Sequence, residues 1–313
     1  SCSLARSVPM SPTLRSWLAQ MGPDVVLLAS LTHYRSLQPD LLRAAIDLRT
    51  PSVACVYSWD HLSSKSRIVD VPDAVLVWNE TQRKEAVQLH ALPADRVVVT
   101  GAQCYDQWFS RRPTRDRETF CRAVGLDPSR PYILYVCSAL TPSPDEPAFV
   151  CEWARKLREH PSVCLRDAGL LVRPHPERVH EWRGHALAVP NAVLRGAPVV
   201  DADARAEYFD AMVHASAVVG LVTSALLEAA VVGRPVLTLT LPEFAAHQLG
   251  MQHFRYLLEV EGGLPAVAPS LDAHLDQLAD TLAGRTTWED NQARFLASFV
   301  RPRGLEAEAT SAF

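Results

Sequence analysis

The apolar positions of this chain fall into short runs separated by longer segments with helical spacing. In order, the runs are Val25–Ala29, Val53–Tyr57, Ala74–Trp78, Arg96–Thr100, Tyr132–Cys137, Leu170–Arg173, Ala217–Leu221 and Pro235–Leu239. Each is rich in β-branched residues and apolar at consecutive positions, the pattern of a strand buried on both faces. Between them lie amphipathic stretches at Asp40–Leu48, Thr81–His90, Ala148–Glu159, Ala225–Val232 and Leu271–Ala283. Strand, helix and strand at this spacing predict an α/β fold with parallel sheets and right-handed crossovers.

A charged stretch, Ser110–Phe120, and a turn-rich Gly125–Pro131 interrupt the rhythm. They predict two Rossmann-like domains: a short, incomplete or truncated N-terminal domain at 1–125, and a nucleotide-binding domain at 126–287. Residues 288–313 form a closing helix and tail, with the helix over Trp288–Val300. About four strands are expected in the first half and four or five in the second. The first half has no strand before Val25 that leads into a glycine-rich turn.

At 313 residues the chain is long enough for two such domains. Its 48% apolar and 21% charged content is that of a packed soluble protein. A net charge of −4 gives no electrostatic reason to expect nucleic acid as a partner. The seven cysteines form no C-x-x-C pair and are expected to be reduced, as in a cytoplasmic protein. No apolar run approaches a bilayer span, although peripheral membrane association stays open. The chain starts Ser1-Cys2 rather than with Met, so the natural N-terminus is expected to lie upstream. Oligomeric state is not fixed by the sequence.

The main chemical signal is Arg173-Pro174-His175-Pro176 after a buried strand. The prolines force an extended exit, so Arg173 and His175 project at the carboxyl edge of the sheet, where ligands of open α/β sheets bind. Arg173 suits a phosphate, and His175 can donate to one or act as an acid. The plainer alternative is a proline-rich surface turn. A second signal is Val218–Leu239, where a strand meets Thr223-Ser224 and a helix carrying Glu228. Thr223 or Ser224 is expected to cap that helix, whose free N–H groups suit a phosphate, while Glu228 lies within reach of a ribose hydroxyl. An ordinary capped crossover helix is the alternative. Ser138, at another strand end, offers close backbone approach to a phosphate or acceptor.

In the first half, Ser58, Trp59, Asp60, His61 and Lys65 follow a strand together. Asp60 or His61 is a candidate base for an acceptor hydroxyl, and Trp59 a stacking surface. A turn with a buried Trp and a capping Asp explains the group equally. Asn79 and Glu80 also follow a strand, with hinge or core packing as the favoured role. Asp201-Ala202-Asp203 is read as a loop without grouped metal ligands. His175, His180 and His185 share no helix face for zinc, and no metal site is expected. P-loop, G-x-S-x-G and G-x-G-x-x-G patterns are absent, the last arguing against a dehydrogenase.

The R-P-H-P segment with the downstream V-T-S-A-L-L-E-A unit resembles the GT-B glycosyltransferase and epimerase superfamily, nearest to CDP-glycerol glycerophosphotransferases and surface-polysaccharide glycosyltransferases. The resemblance covers about Tyr132–Thr240. It implies a transferase that moves a glycosyl or polyol-phosphate group from a CDP- or UDP-linked donor to an acceptor hydroxyl, with no other cofactor. It places His175 on the donor phosphate, Thr223 and Ser224 on the diphosphate, and Glu228 on the ribose. Leu221-Val222 stands where those enzymes carry an acidic-aromatic pair. A sugar-nucleotide 2-epimerase and a catalytically silent nucleotide-binding scaffold are the alternatives.

Overall fold

The computed structural model describes residues 10–138, 145–196 and 200–312; Cys2 and the Ala139-Leu140 end of the strand-exit segment lie outside them. The chain divides into two compact units, one of residues 10–106 with 296–312, the other of 107–295.

In the smaller unit, α1 (Pro12–Met21) precedes β1 (Val26–Leu28), α2 (Gln38–Leu48), β2 (Ser52–Cys55), α3 (His61–Ser64), β3 (Ala74–Val77), α4 (Glu80–His90) and β4 (Val97–Val99). The four strands lie in chain order, all parallel. Leu28, Leu42, Val75, Val77 and Ala86 form the centre of its core. Sequence patterns dictate the helix ends: Ser11 accepts the Leu14 N–H ahead of a proline, and Gly22 adopts the left-handed conformation that closes α1.

The C-terminal segment completes this unit. The Ala102 N–H donates to the Val300 carbonyl at 2.8 Å, Arg301 pairs with Asp106 at 2.9 Å, and Gly101 lies against Ala309. A β-carbon at Gly101 would come within 2.9 Å of the Ala309 side chain, and its φ of +97° independently favours glycine.

The larger unit runs α5 (Arg117–Val124), β5 (Tyr132–Val136), α6 (Glu146–Glu159), α7 (Val163–Arg166), β6 (Gly169–Arg173), β7 (Ala192–Leu194), α8 (Ala202–Val213), β8 (Ala217–Val219), α9 (Ala225–Val231), β9 (Val236–Leu239), α10 (Pro242–Gly250), α11 (Gln252–Glu259), β10 (Ala266–Ala268) and α12 (Leu271–Leu282). A further helix, α13 (Glu289–Phe299), follows. The parallel sheet has the order β10-β9-β8-β5-β6-β7. Every residue of β5 and β6 is buried, which is why both read as unbroken apolar runs. Helices cover both faces of the sheet, and Trp153, Leu157, Leu170, Leu237 and Leu278 are among the residues of its main core.

The two parallel sheets give the expected two-unit α/β class. β7 and β10, three residues each and partly exposed, are additions to the strands read from the sequence. A correction concerns Asp201-Ala202-Asp203. It is the start of α8 and not a loop: Asp201 caps the helix by accepting the Ala204 N–H at 2.7 Å, and Asp203 lies in the first turn, where a carboxylate favours the helix dipole.

Candidate functional site

β5 is the first strand of the larger sheet, and the chain places β6 on one side of it and β8 on the other. The order therefore reverses at β5, the kind of switch point at whose carboxyl edge ligands of open α/β sheets bind. Ser138, Arg173 and the Gly220–Ser224 turn all lie on this edge.

The turn after β8 is held from several directions. The Val222 N–H donates to the Ser138 hydroxyl at 3.1 Å, joining the exits of β5 and β8. Thr238 donates its hydroxyl to the Gly220 carbonyl at 2.7 Å, and the Gln248 amide donates to the Leu221 carbonyl at 3.2 Å. Ser138 is itself held by Glu146, a buried residue at the start of α6. Both Glu146 oxygens accept the Ser138 N–H, at 3.0 and 3.2 Å, and one accepts the Tyr135 hydroxyl at 3.2 Å. Burial pushes the Glu146 carboxyl up from its ordinary range, and the bonds from Ser138 and Tyr135 oppose that shift.

Ser138 is thus a linchpin between two loops, with its hydroxyl already engaged. Thr223 accepts the Ala225 N–H at 3.3 Å through its hydroxyl, while the Ser224 side chain makes no capping bond and is exposed. Of the two residues expected to cap α9, Thr223 engages the first turn.

At the end of β6, Arg173 is 4% exposed. Its guanidinium carbon lies 5.2 Å from the centre of the Tyr208 ring, and its Nη1 lies 3.5 Å from Glu207. Glu207, however, is gripped bidentately by Arg195, at 2.8 and 3.1 Å. Nη1 of Arg173 is left buried without a hydrogen-bond partner. A buried cation with unused donors is costly unless something arrives to use them.

Tyr208 donates its hydroxyl to Glu228, so Glu228 faces the same cluster. Burial raises the Glu228 carboxyl to about 7, with the Tyr208 bond acting in the opposite sense. His175, half-buried, accepts the Glu177 N–H on Nδ1 at 3.3 Å. That bond assigns the proton of the neutral ring to Nε2. Burial lowers the His175 pKa, so the ring is neutral near pH 7 and offers an Nε2–H donor.

Tyr208, Glu207, Arg195 and Glu146 were not singled out in the sequence. Asp201 was the available signal for the first two: read as an N-cap, it puts Glu207 and Tyr208 within a helix running back to the sheet. Arg195 follows an edge strand too short to be read.

In the smaller unit, Ser58, Asp60 and Lys65 do converge. Asp60 accepts from the Ser58 hydroxyl at 2.6 Å and the Ser64 hydroxyl at 2.9 Å, and pairs with Lys65 at 3.2 Å. Burial alone would raise its pKa, but Ser58, Lys65 and Ser64 together bring it down to about 2. His61 is buried edge-on against Tyr57, with ring centres 4.2 Å apart, and burial lowers its pKa to about 4. A general base works best with a pKa near the working pH, a condition neither group meets in this conformation.

Trp59 is buried. Asn79 caps α4 by accepting the Gln82 N–H at 2.9 Å and donates to the Phe299 carbonyl at 2.7 Å, while Glu80 is exposed and pairs with Arg83.

No protein-family model matches the chain, and no curated protein matches it in sequence. Solved structures do match it in fold. UDP-GlcNAc 2-epimerase from Neisseria meningitidis, bound to UDP-GlcNAc, aligns with a TM-score of 0.61 at 13% identity, over 96% of this chain and 78% of its own. S. aureus MnaA with UDP aligns with a TM-score of 0.60 at 13% identity, over 99% and 79%. The wall teichoic acid polymerase TagF aligns at 0.51 and 13% identity, over 76% and 56%. The chain has the GT-B-type fold. Among the described residues, no helix is long and apolar enough to cross a membrane.

Proposed function

We propose that the larger unit binds the nucleotide diphosphate of an activated sugar at the carboxyl edge of β5, β6 and β8. In this reading the chain transfers the glycosyl or polyol-phosphate group to an acceptor hydroxyl. The observation that carries the proposal is Arg173: a guanidinium buried at a strand end, whose Nη1 lies 3.5 Å from Glu207 in an ion pair but makes no hydrogen bond. An incoming phosphate oxygen would supply the missing acceptor.

In the transfer, negative charge builds on the departing diphosphate. Arg173 and the Nε2–H of His175 would stabilise that charge through preformed donors. Thr223 and the exposed Ser224 would line the diphosphate, with Val222 held in place behind them by Ser138. Glu228 would accept from the ribose hydroxyls, as a carboxylate above about pH 7.

A second reading, a nucleotide-sugar 2-epimerase, is favoured by coverage. The fold of the Neisseria epimerase spans more of both chains than that of TagF.

The test is a thermal-shift series with UDP, CDP, GDP and ADP on the wild type, Arg173→Met and Glu228→Gln, followed by incubation with the matching nucleotide sugar. Stabilisation by one nucleotide that Arg173→Met abolishes supports the site. Turnover that requires an added acceptor supports transfer, and an inverted sugar without acceptor supports epimerisation. If no nucleotide shifts the folded wild type, the nucleotide site is wrong.

A further inference from the structure

The opposite edge of the larger sheet carries a second concavity. The segments that lead into β5, β6 and β7 surround a cavity of about 420 Å3, lined in part by Asp127, Arg130, Arg158, Arg166, Asp167 and Asn191. These residues precede their strands, whereas Ser138 and Arg173 follow them. The length of β5 therefore separates the cavity from the carboxyl edge, roughly 15 Å at the usual rise per residue.

Three guanidinium groups face two carboxylates here, and the carboxylates are already committed. Asp127 accepts the Ser129 N–H at 2.8 Å and its hydroxyl at 2.7 Å, and Asp167 accepts from Arg130 at 3.0 Å. Arg158 has no carboxylate ligand. It is fixed instead by the Pro190 carbonyl at 2.8 and 3.2 Å and the Arg166 carbonyl at 3.0 Å. Those carbonyl contacts occupy its N–H groups, and the nearby Asp167 charge offsets its own only in part, because Asp167 is bonded to Arg130. The exposed Arg166 side chain makes no hydrogen bond or ion pair among the described residues.

Asn191 adds a neutral donor. Its Oδ1 accepts the Asp127 N–H at 3.0 Å, which fixes the orientation of the amide, and its Nδ2 is buried without a partner. The left-handed backbone at Asn191, φ +49°, sets this side chain at the entry to β7.

We propose that this cavity is a second ligand site, taking a small phosphate monoester such as a sugar phosphate. Three guanidinium groups against two carboxylates leave a positive excess, and the exposed Arg166 fork suits a phosphate, while the volume lies in the range of small-molecule sites. Arg166 closes on the phosphate and Arg158 supplies fixed positive potential beneath it. Arg130 trades its exposed pair with Asp167 for the ligand, at little cost because exposed pairs are weak. The site does not depend on the nucleotide reading of the other edge.

Isothermal titration of the whole chain at constant ionic strength tests this, with glucose 6-phosphate and inorganic phosphate as probes and glucose as the neutral control. The expected result is saturable binding of glucose 6-phosphate and none of glucose. Affinity should fall roughly tenfold or more in Arg166→Gln and in Arg130→Gln, as for loss of a charge-assisted contact, and stay unchanged in Arg173→Met. Arg166 and Arg130 are both exposed, so either variant should fold and each serves as a check on the other. Binding that both variants retain, binding lost in Arg173→Met instead, or no saturable heat up to roughly 10 mM would overturn the proposal.

Discussion

The Tyr208 hydroxyl donates to the Glu228 carboxylate, and this bond is made in surroundings that raise the Glu228 pKa to about 7. The unfolded chain releases that proton near pH 4.5. Between these values the folded chain holds a proton that the unfolded chain has lost, so this group's contribution to stability falls as pH rises through the window and is lowest above it. Glu228→Gln should therefore gain on the wild type by on the order of 2–3 kcal/mol between about pH 4 and pH 8. Urea unfolding at both pH values checks it. An equal difference at the two would mean that Glu228 does not titrate in this range.

The exit of β8 leaves no room for a side chain. A β-carbon on Gly220 would stand 2.8 Å from the Thr223 methyl and 3.0 Å from the Val136 carbonyl. Gly220→Ala is expected to cost about 1–3 kcal/mol by forcing the turn away from β5. It should weaken nucleotide binding more than Ser224→Ala does, as read by thermal shift.

Glu146 holds Ser138 and Tyr135 at once. Glu146→Ala would strip a backbone N–H and a phenol of their buried acceptor, at about 2–4 kcal/mol. Glu146→Gln keeps one acceptor oxygen and should lose about half as much. Denaturant midpoints of the two variants against the wild type give the comparison. Equal stability in all three would remove Glu146 from the support of the β5 loop.

His274 lies in the core beside Trp153, fully buried, with neither ring nitrogen hydrogen-bonded. Burial lowers its pKa to about 3 from an ordinary 6.5. Its neutral form is retained in the fold at pH values where the unfolded chain has taken up a proton. Stability is therefore lost as pH falls from about 6.5 toward 3, at up to about 1.4 kcal/mol per pH unit. His274→Leu, nearly equal in volume, should raise stability at about pH 8 by about 1–3 kcal/mol, and by about 2 kcal/mol more at about pH 5. Chemical denaturation at the two pH values decides it.

The buried centre of the larger sheet was legible because apolar residues run unbroken to its strand ends: the runs Tyr132–Cys137 and Leu170–Arg173 fall on the observed strands Tyr132–Val136 and Gly169–Arg173. β7 and β10 were not, since each has only three residues, at least partly solvent-accessible at all three positions in β7 and at two in β10. Helix α8 escaped because the polar residues Glu207 and Asp210 fall among its buried apolar ones. The same principle governs the candidate site. Arg173 was visible because Pro174 marks the strand exit. Its neighbours Glu207 and Tyr208 come from a helix some thirty-five residues on, and no local pattern announces a contact at that range. Asp60 shows the converse, where a suggestive local cluster becomes a closed network with Ser58, Ser64 and Lys65.

The unit that begins the chain also ends it. Asn79 donates to Phe299, Ala102 donates to Val300, and Asp106 receives Arg301, Ala309 and Thr310. These bonds join residues about two hundred positions apart. On a ribosome, the first four strands would emerge long before their last partners, while every strand of the later unit is made in the interval. Strands β1–β4 are therefore made well before residues 299–310, and the smaller unit can close these bonds only after the strands of the larger one have been synthesised.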